Sequence, residues 1–183
     1  MSSDRDILKG MPEWIRPLLS DISGIQLSEA DLQEAATIVR EGARAYRESV
    51  VIPFERPKVE AAIAQMGELA AAGTAQQRRF PVLLAEATDR GASYVPAGVA
   101  DLVEGPFEDE DGGVFAVWEW FPKGNGAGFD GLVAALVSQN DGEECGRGVL
   151  RKSDLGWKIT VDHGRMDLLM NATGASHPII LIA

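Results

Sequence analysis

Residues 113–121 read Gly-Val-Phe-Ala-Val-Trp-Glu-Trp-Phe. Val114, Ala116, Trp118 and Trp120 alternate with Phe115, Val117, Glu119 and Phe121, a two-residue period at which side chains change face along a strand. Glu119 is the single charge, so the stretch is read as a β-strand covered on most of both faces. Toward the C-terminus, residues 144–152 and 157–163 flank Ser153, Asp154, Leu155 and Gly156, turn-formers between two β-prone runs, and predict an antiparallel hairpin. Ile179 to Ile182, led in by Pro178, suits a short final strand. Leu132 to Val137 fits either a buried strand or a helix capped by Asp130.

On the N-terminal side of Gly91 the period lengthens. Ser28 and Asp31 form a carboxylate variant of the capping box, and Leu27 with Leu32 a hydrophobic staple. Leu32, Ala35, Ala36, Val39, Ala43, Tyr46 and Val50 then recur at three and four, which predicts an amphipathic helix over 29–48, packed through Val39 and Tyr46. A second helix is expected from Pro57 to a stop at Gly73, with Val59, Ala62, Ile63, Met66, Leu69 and Ala70 on one face and the first helix as its neighbour. A third begins at Thr74 with Gln77, or at Pro81, and stops at Gly91. Residues 11–20, with Trp14, Ile15, Leu18 and Leu19, read as a short helix on the same layer. Helices first and strands afterwards predict an α+β fold. An N-terminal helical layer, about residues 1–91, packs on a mainly antiparallel sheet formed by the C-terminal half, about 92–183. At 183 residues the chain has the length of a single domain.

Composition narrows the function classes. Hydrophobic residues at 45% and charged residues at 25% match ordinary globular chains. A single cysteine permits no intrachain disulfide, and the charged N-terminus and absence of a long apolar run fit a cytoplasmic protein without a membrane span. The net charge of −11 argues against nucleic acid as a partner. That charge is uneven: residues 1–91 carry −3 and residues 92–183 carry −8. Between Arg90 and Lys123 there is no base, while Asp101, Glu104, Glu108, Asp109, Glu110, Asp111 and Glu119 all fall in that interval.

Several groupings carry candidate chemistry. Residues 126–131, Gly-Ala-Gly-Phe-Asp-Gly, match the glycine spacing of a dinucleotide fingerprint, but four residues separate them from the preceding strand and no βαβ unit surrounds them. Cys145, His163 and Asn171 stand in the order a thiol enzyme uses. A four-residue hairpin loop puts Cys145 and His163 on opposite faces, and a three-residue loop brings them together. Glu143 and Glu144 raise the thiol pKa rather than lower it. Asp162, His163, Asp167 and His177 offer metal-ligand chemistry without a compact pair, and Glu108 to Asp111 lacks the pattern of a calcium loop. No catalytic, cofactor or metal residue is assigned on these grounds.

The segment from Gly146 to His163, with Gly-Trp-Lys-Ile after its turn, resembles the closing hairpin of SnoaL and other NTF2-like proteins. That resemblance implies a cone-shaped α+β domain with a ligand pocket between helices and a curved sheet, and places no pocket residue. On a small-molecule reading of this chain itself, an apolar pocket is expected to be lined by groups such as Trp118 and Trp157.

Two functional expectations follow. The first is a non-enzymatic acidic protein-binding domain, such as an inhibitor, immunity or assembly subunit, with a basic protein partner. Its contacts would be Glu108, Asp109, Glu110, Asp111, Trp118 and Trp120, with aromatic anchors in the middle and acids at the rim. The alternative is the NTF2-like reading, an α+β domain that binds or converts a small apolar molecule.

Overall fold

Seven strands close into a barrel in the computed structural model, which describes residues 28–67 and 78–183. Chain contacts divide the protein into two units, Met1–Val50 and Val51–Ala183, each described by itself.

In the first unit, helix α1 spans Glu29–Ser49. The capping box is formed as the sequence predicts: Asp31 N donates to Ser28 Oγ at 3.2 Å, and Ser28 N donates to Asp31 Oδ2 at 3.0 Å. None of its residues is fully buried: Val39 is half-buried and Tyr46 is exposed, so neither is the core position the sequence predicts. The helix expected over 11–20, the staple residue Leu27 and the Thr74 cap lie outside the described residues.

The second unit begins with an extended segment and helix α2, Arg56–Ala64, with Pro57 in its first turn. Strands β1 (Arg79–Thr88), β2 (Gly91–Glu108), β3 (Val114–Pro122), β4 (Val133–Val137), β5 (Glu144–Ser153) and β6 (Gly156–Gly164) follow. Helix α3, Met166–Asn171, leads to β7, Ile179–Ile182. Around the barrel the order is β1-β2-β3-β6-β5-β4-β7. Every neighbouring pair is antiparallel except β1 with β7, whose parallel ladder from Val82↔Ile179 to Ala85↔Ile182 closes the ring.

This architecture corrects the α+β expectation. No helical layer covers an open sheet; the sheet closes on itself and thereby removes its edges. The largest single revision is Arg79–Thr88, where a helix starting at Pro81 becomes strand β1. Phe80, Val82 and Leu84 point into the barrel, while Leu83 and Ala85 point out beneath α2. Pro81 is tolerated because it precedes the β7 ladder, which starts at Val82. The hairpin expected over 144–163 forms as β5 and β6, but as part of a closed barrel rather than of a cone-shaped α+β domain.

Two apolar clusters hold the barrel together. Inside, every strand contributes: Phe80 and Val82 from β1, Ala97 and Ala100 from β2, Trp118 and Trp120 from β3, Leu136 from β4, Leu150 from β5, Trp157 and Ile159 from β6, and Ile179 and Leu181 from β7. Trp120 meets Trp157 edge-on at 5.4 Å and stacks on Phe129 at 5.9 Å, so the loop after β3 lays Phe129 against the cluster. Leu169 of α3 belongs to the same cluster. Outside, Val59, Ala62 and Met66 cover Leu83, Ala85, Tyr94, Val99, Ala135, Val137 and Ile180. The second cluster explains why β4 is buried along all five residues: one face looks into the barrel and the other lies in the α2 cluster. Of the ambiguous run Leu132 to Val137, Val133–Val137 is strand.

Candidate interaction surface

Strand β2 is longer than its barrel partners. Its ladder with β1 ends at Asp101↔Arg79, and the β3 ladder with β6 starts at Ala116↔Val161. From Val103 to Glu108 and from Val114 to Phe115, therefore, β2 and β3 pair only with each other and form a two-stranded ribbon that continues past the barrel. Two register shifts between Leu102 and Phe107 give β2 extra residues, and such bulges increase the local twist. Phe107 and Phe115 face each other across the ribbon with ring centroids 3.7 Å apart.

At its tip, Asp109 organises the turn. Its Oδ1 accepts from Asp111 N at 3.1 Å and Gly113 N at 2.6 Å, and its own N donates to Gly113 O at 2.8 Å. Glu104, Glu108, Asp109, Glu110 and Asp111 are all exposed. None of these five acids has an ion-pair partner among the described residues.

The other two acids of the base-free interval behave differently. Asp101 is held by Arg79, and Glu119 lies opposite Lys158 in the β3–β6 ladder. Together with Arg151, these residues form a register row across the outside of five strands, Arg79, Asp101, Glu119, Lys158, Arg151. Acids on the barrel wall thus stand in register with bases, one of them, Asp101, in ion-pair contact, whereas the ribbon acids have no ion-pair partner among the described residues.

The aromatic anchors expected beside the acids are elsewhere. Trp118 and Trp120 are 1% and 2% exposed and belong to the barrel interior, so neither can meet a partner's surface. Their alternation was legible, but the face that looked like an aromatic patch is the core face. Trp120 Nε1 donates to Ala97 O at 3.1 Å, whereas Trp118 Nε1 has no partner among the described residues. Trp157 is likewise interior and belongs to the same buried cluster as Trp118 and Trp120.

The remaining candidate groups do not converge either. The β5–β6 loop is two residues, Asp154 and Leu155, closed by the Ser153↔Gly156 pair. Cys145, at a register shift of β5 against β4, turns into the interior cluster, while His163 is exposed. Burial, with Glu143 and Asp141 adding to it, pushes the Cys145 thiol up to about 11, away from the thiolate that nucleophilic chemistry needs. Burial also lowers the pKa of His177, whose Nδ1 lies 3.2 Å from Thr173 N. Among the described residues no three His, Cys, Asp or Glu side chains group as metal ligands, and no helix is long and apolar enough to cross a membrane. Residues 126–131 lead into a strand, not a helix, which removes the helix N-terminus that a pyrophosphate needs.

Compared with protein-family models, with curated proteins and with solved structures, the chain matches none. The fold and the ribbon are therefore the basis of any functional reading.

Proposed function

We propose that the chain is a non-catalytic binding domain whose β2–β3 ribbon recognises a basic protein. The observation that carries this reading is the separation of charge: Asp101 and Glu119 stand opposite neighbouring strands on the barrel wall, while five acids on the ribbon have no basic partner among the described residues. An uncompensated field on a protruding element raises encounter rates with a positive surface and restricts the approach direction. Asp109 fixes the turn through backbone hydrogen bonds, so the acids are presented on a defined scaffold. With the tryptophans inside, contact area on the ribbon falls to Val103, Phe107 and Phe115 and to the acids themselves. The same charges also discourage edge-to-edge pairing of an exposed ribbon, a purely protective role.

A paired capture separates recognition from protection. Full-length protein and a variant carrying Glu108→Gln, Asp109→Asn, Glu110→Gln and Asp111→Asn are exposed to the same source-cell lysate at low and high salt. Recognition predicts a basic protein retained by the wild type and lost from the variant or at high salt. Identical protein sets, with greater self-association of the variant, would support protection alone.

A further inference from the structure

Next to the end of α2, the outside of the barrel is indented by a half-enclosed groove of about 320 Å³. Met66 closes one wall; Pro96, Gly98 and Val99 of β2 form its floor; Phe121 and Lys123 come from the end of β3 and the residue beyond it. Its volume is at the lower end of the range for small-molecule sites, roughly 300–1,000 Å³.

The groove is formed by a β-bulge. The β1–β2 register shifts between Val82↔Gly98 and Leu83↔Pro96, leaving Ala97 as the extra residue. Gly98 adopts φ +111°, and a side chain there would collide with Phe121 O, so only glycine lets β3 run this close. Ala97 O accepts from Trp120 Nε1 inside the barrel at 3.1 Å and from Lys123 N at 3.0 Å. That second bond fixes the backbone of Lys123 beside the groove. Pro96 and Pro122 contribute no N–H, so the lining is mostly apolar, and Phe121 remains 47% exposed although it belongs to the barrel wall.

Charge is the second feature. In a chain of 28 acids and 17 bases, the described residues of this lining include one lysine and no acid. Lys123 has no ion-pair partner among the described residues. We infer that the groove binds a small organic anion, an apolar ring or chain that lies on Phe121, Val99 and Met66 and carries a carboxylate to Lys123. This site is separate from the ribbon and does not depend on the proposed protein partner.

The test is a titration of the full-length, isotope-labelled protein followed by amide NMR, with 4-phenylbutyrate as probe and neutral 4-phenylbutanol as control. Shifts centred on Val99, Phe121 and Lys123 are expected, with the acid bound about fivefold more tightly than the alcohol, the scale of an exposed ion pair. Lys123→Gln, at an exposed position, should abolish that preference while leaving the rest of the spectrum unchanged, and Phe121→Ala should weaken both compounds. No localised shifts, equal binding of acid and alcohol to the wild type, or a preference that survives Lys123→Gln would overturn the inference. So would shifts of the same amides with protein concentration alone, which would assign the groove to a second copy of the chain.

Discussion

Arg79 grips Asp101 with two parallel hydrogen bonds, Nε to Oδ1 at 2.7 Å and Nη2 to Oδ2 at 2.9 Å, at the position where the β1 ladder ends and the ribbon begins. Both side chains are partly exposed, and the pair raises the Arg79 pKa through the hydrogen bond to Asp101. It marks the boundary between the barrel wall, where acids stand in register with bases, and the ribbon acids beyond.

Breaking that pair should cost little. Arg79→Ala, Asp101→Asn and the double variant, compared by urea unfolding, are expected to give a coupling energy of about 0.5–1 kcal/mol, because solvent screens a partly exposed pair even when its geometry is bidentate. A coupling of several kcal/mol would mean that the pair is far more desolvated than its exposure indicates.

The two interior tryptophans should respond unequally to the same substitution. Trp120→Phe removes the bond to Ala97 O and leaves that carbonyl with one donor, whereas Trp118→Phe removes an Nε1 that has no partner among the described residues. Both lose packing, but Trp120→Phe is expected to destabilise by about 1 kcal/mol more. Equal losses in thermal or urea unfolding would contradict this assignment of the indole hydrogen bonds.

Close approach of strands makes Gly148 a sharper probe of the barrel. A Cβ there would collide with Thr160 O of β6, so Gly148→Ala should cost several kcal/mol or abolish folding, beyond the roughly 1 kcal/mol typical of a point change. Gly124→Ala is the control: its φ of +96° is strained for alanine but its Cβ would meet open space, so a loss of about 1 kcal/mol is expected. Circular dichroism melts of the two variants distinguish them.

The thiol gives a pH prediction. Cys145 ionises at about 11 when folded against an ordinary value of 9.0, so above pH 9 the unfolded chain loses its proton first. Stability from this group is therefore complete below pH 9 and is lost as the pH rises toward 11, by roughly 2–3 kcal/mol in all. Comparison with Cys145→Ala isolates this contribution from other alkaline titrations. The native thiol should also resist Ellman's reagent at about pH 8 and react on unfolding; rapid native labelling would show it to be accessible.

Much of the strand half was legible because local pattern and final environment agree. Val114–Pro122 alternates as read, the hairpin of β5 and β6 follows its turn residues, and Pro178 introduces β7. Strand β1 was not legible, since Leu83, Leu84, Ala85 and Glu86 are good helix formers and its strand character comes from pairing with β2 and with β7, which lies at the far end of the chain. Strand β2 was hidden by Pro96, Gly98, Gly105 and Pro106, the residues that serve its bulges. At the candidate site, the acids were visible as a charge run, but the ribbon that carries them depends on where the flanking ladders stop. Nor could the sequence say that Trp118 and Trp120 face inward, because alternation defines two faces without naming the buried one.

The most direct measurement is the association rate of the captured basic partner with the wild type and with the variant bearing amides at 108–111, by stopped flow across a range of salt. The Asp109→Asn change keeps an acceptor oxygen for the turn, so folding stability should barely change. At low salt the variant is expected to associate about tenfold more slowly, with a flattened salt dependence and little difference at high salt. Equal on-rates for the two proteins at low salt would remove the ribbon from the interface and contradict the proposed function.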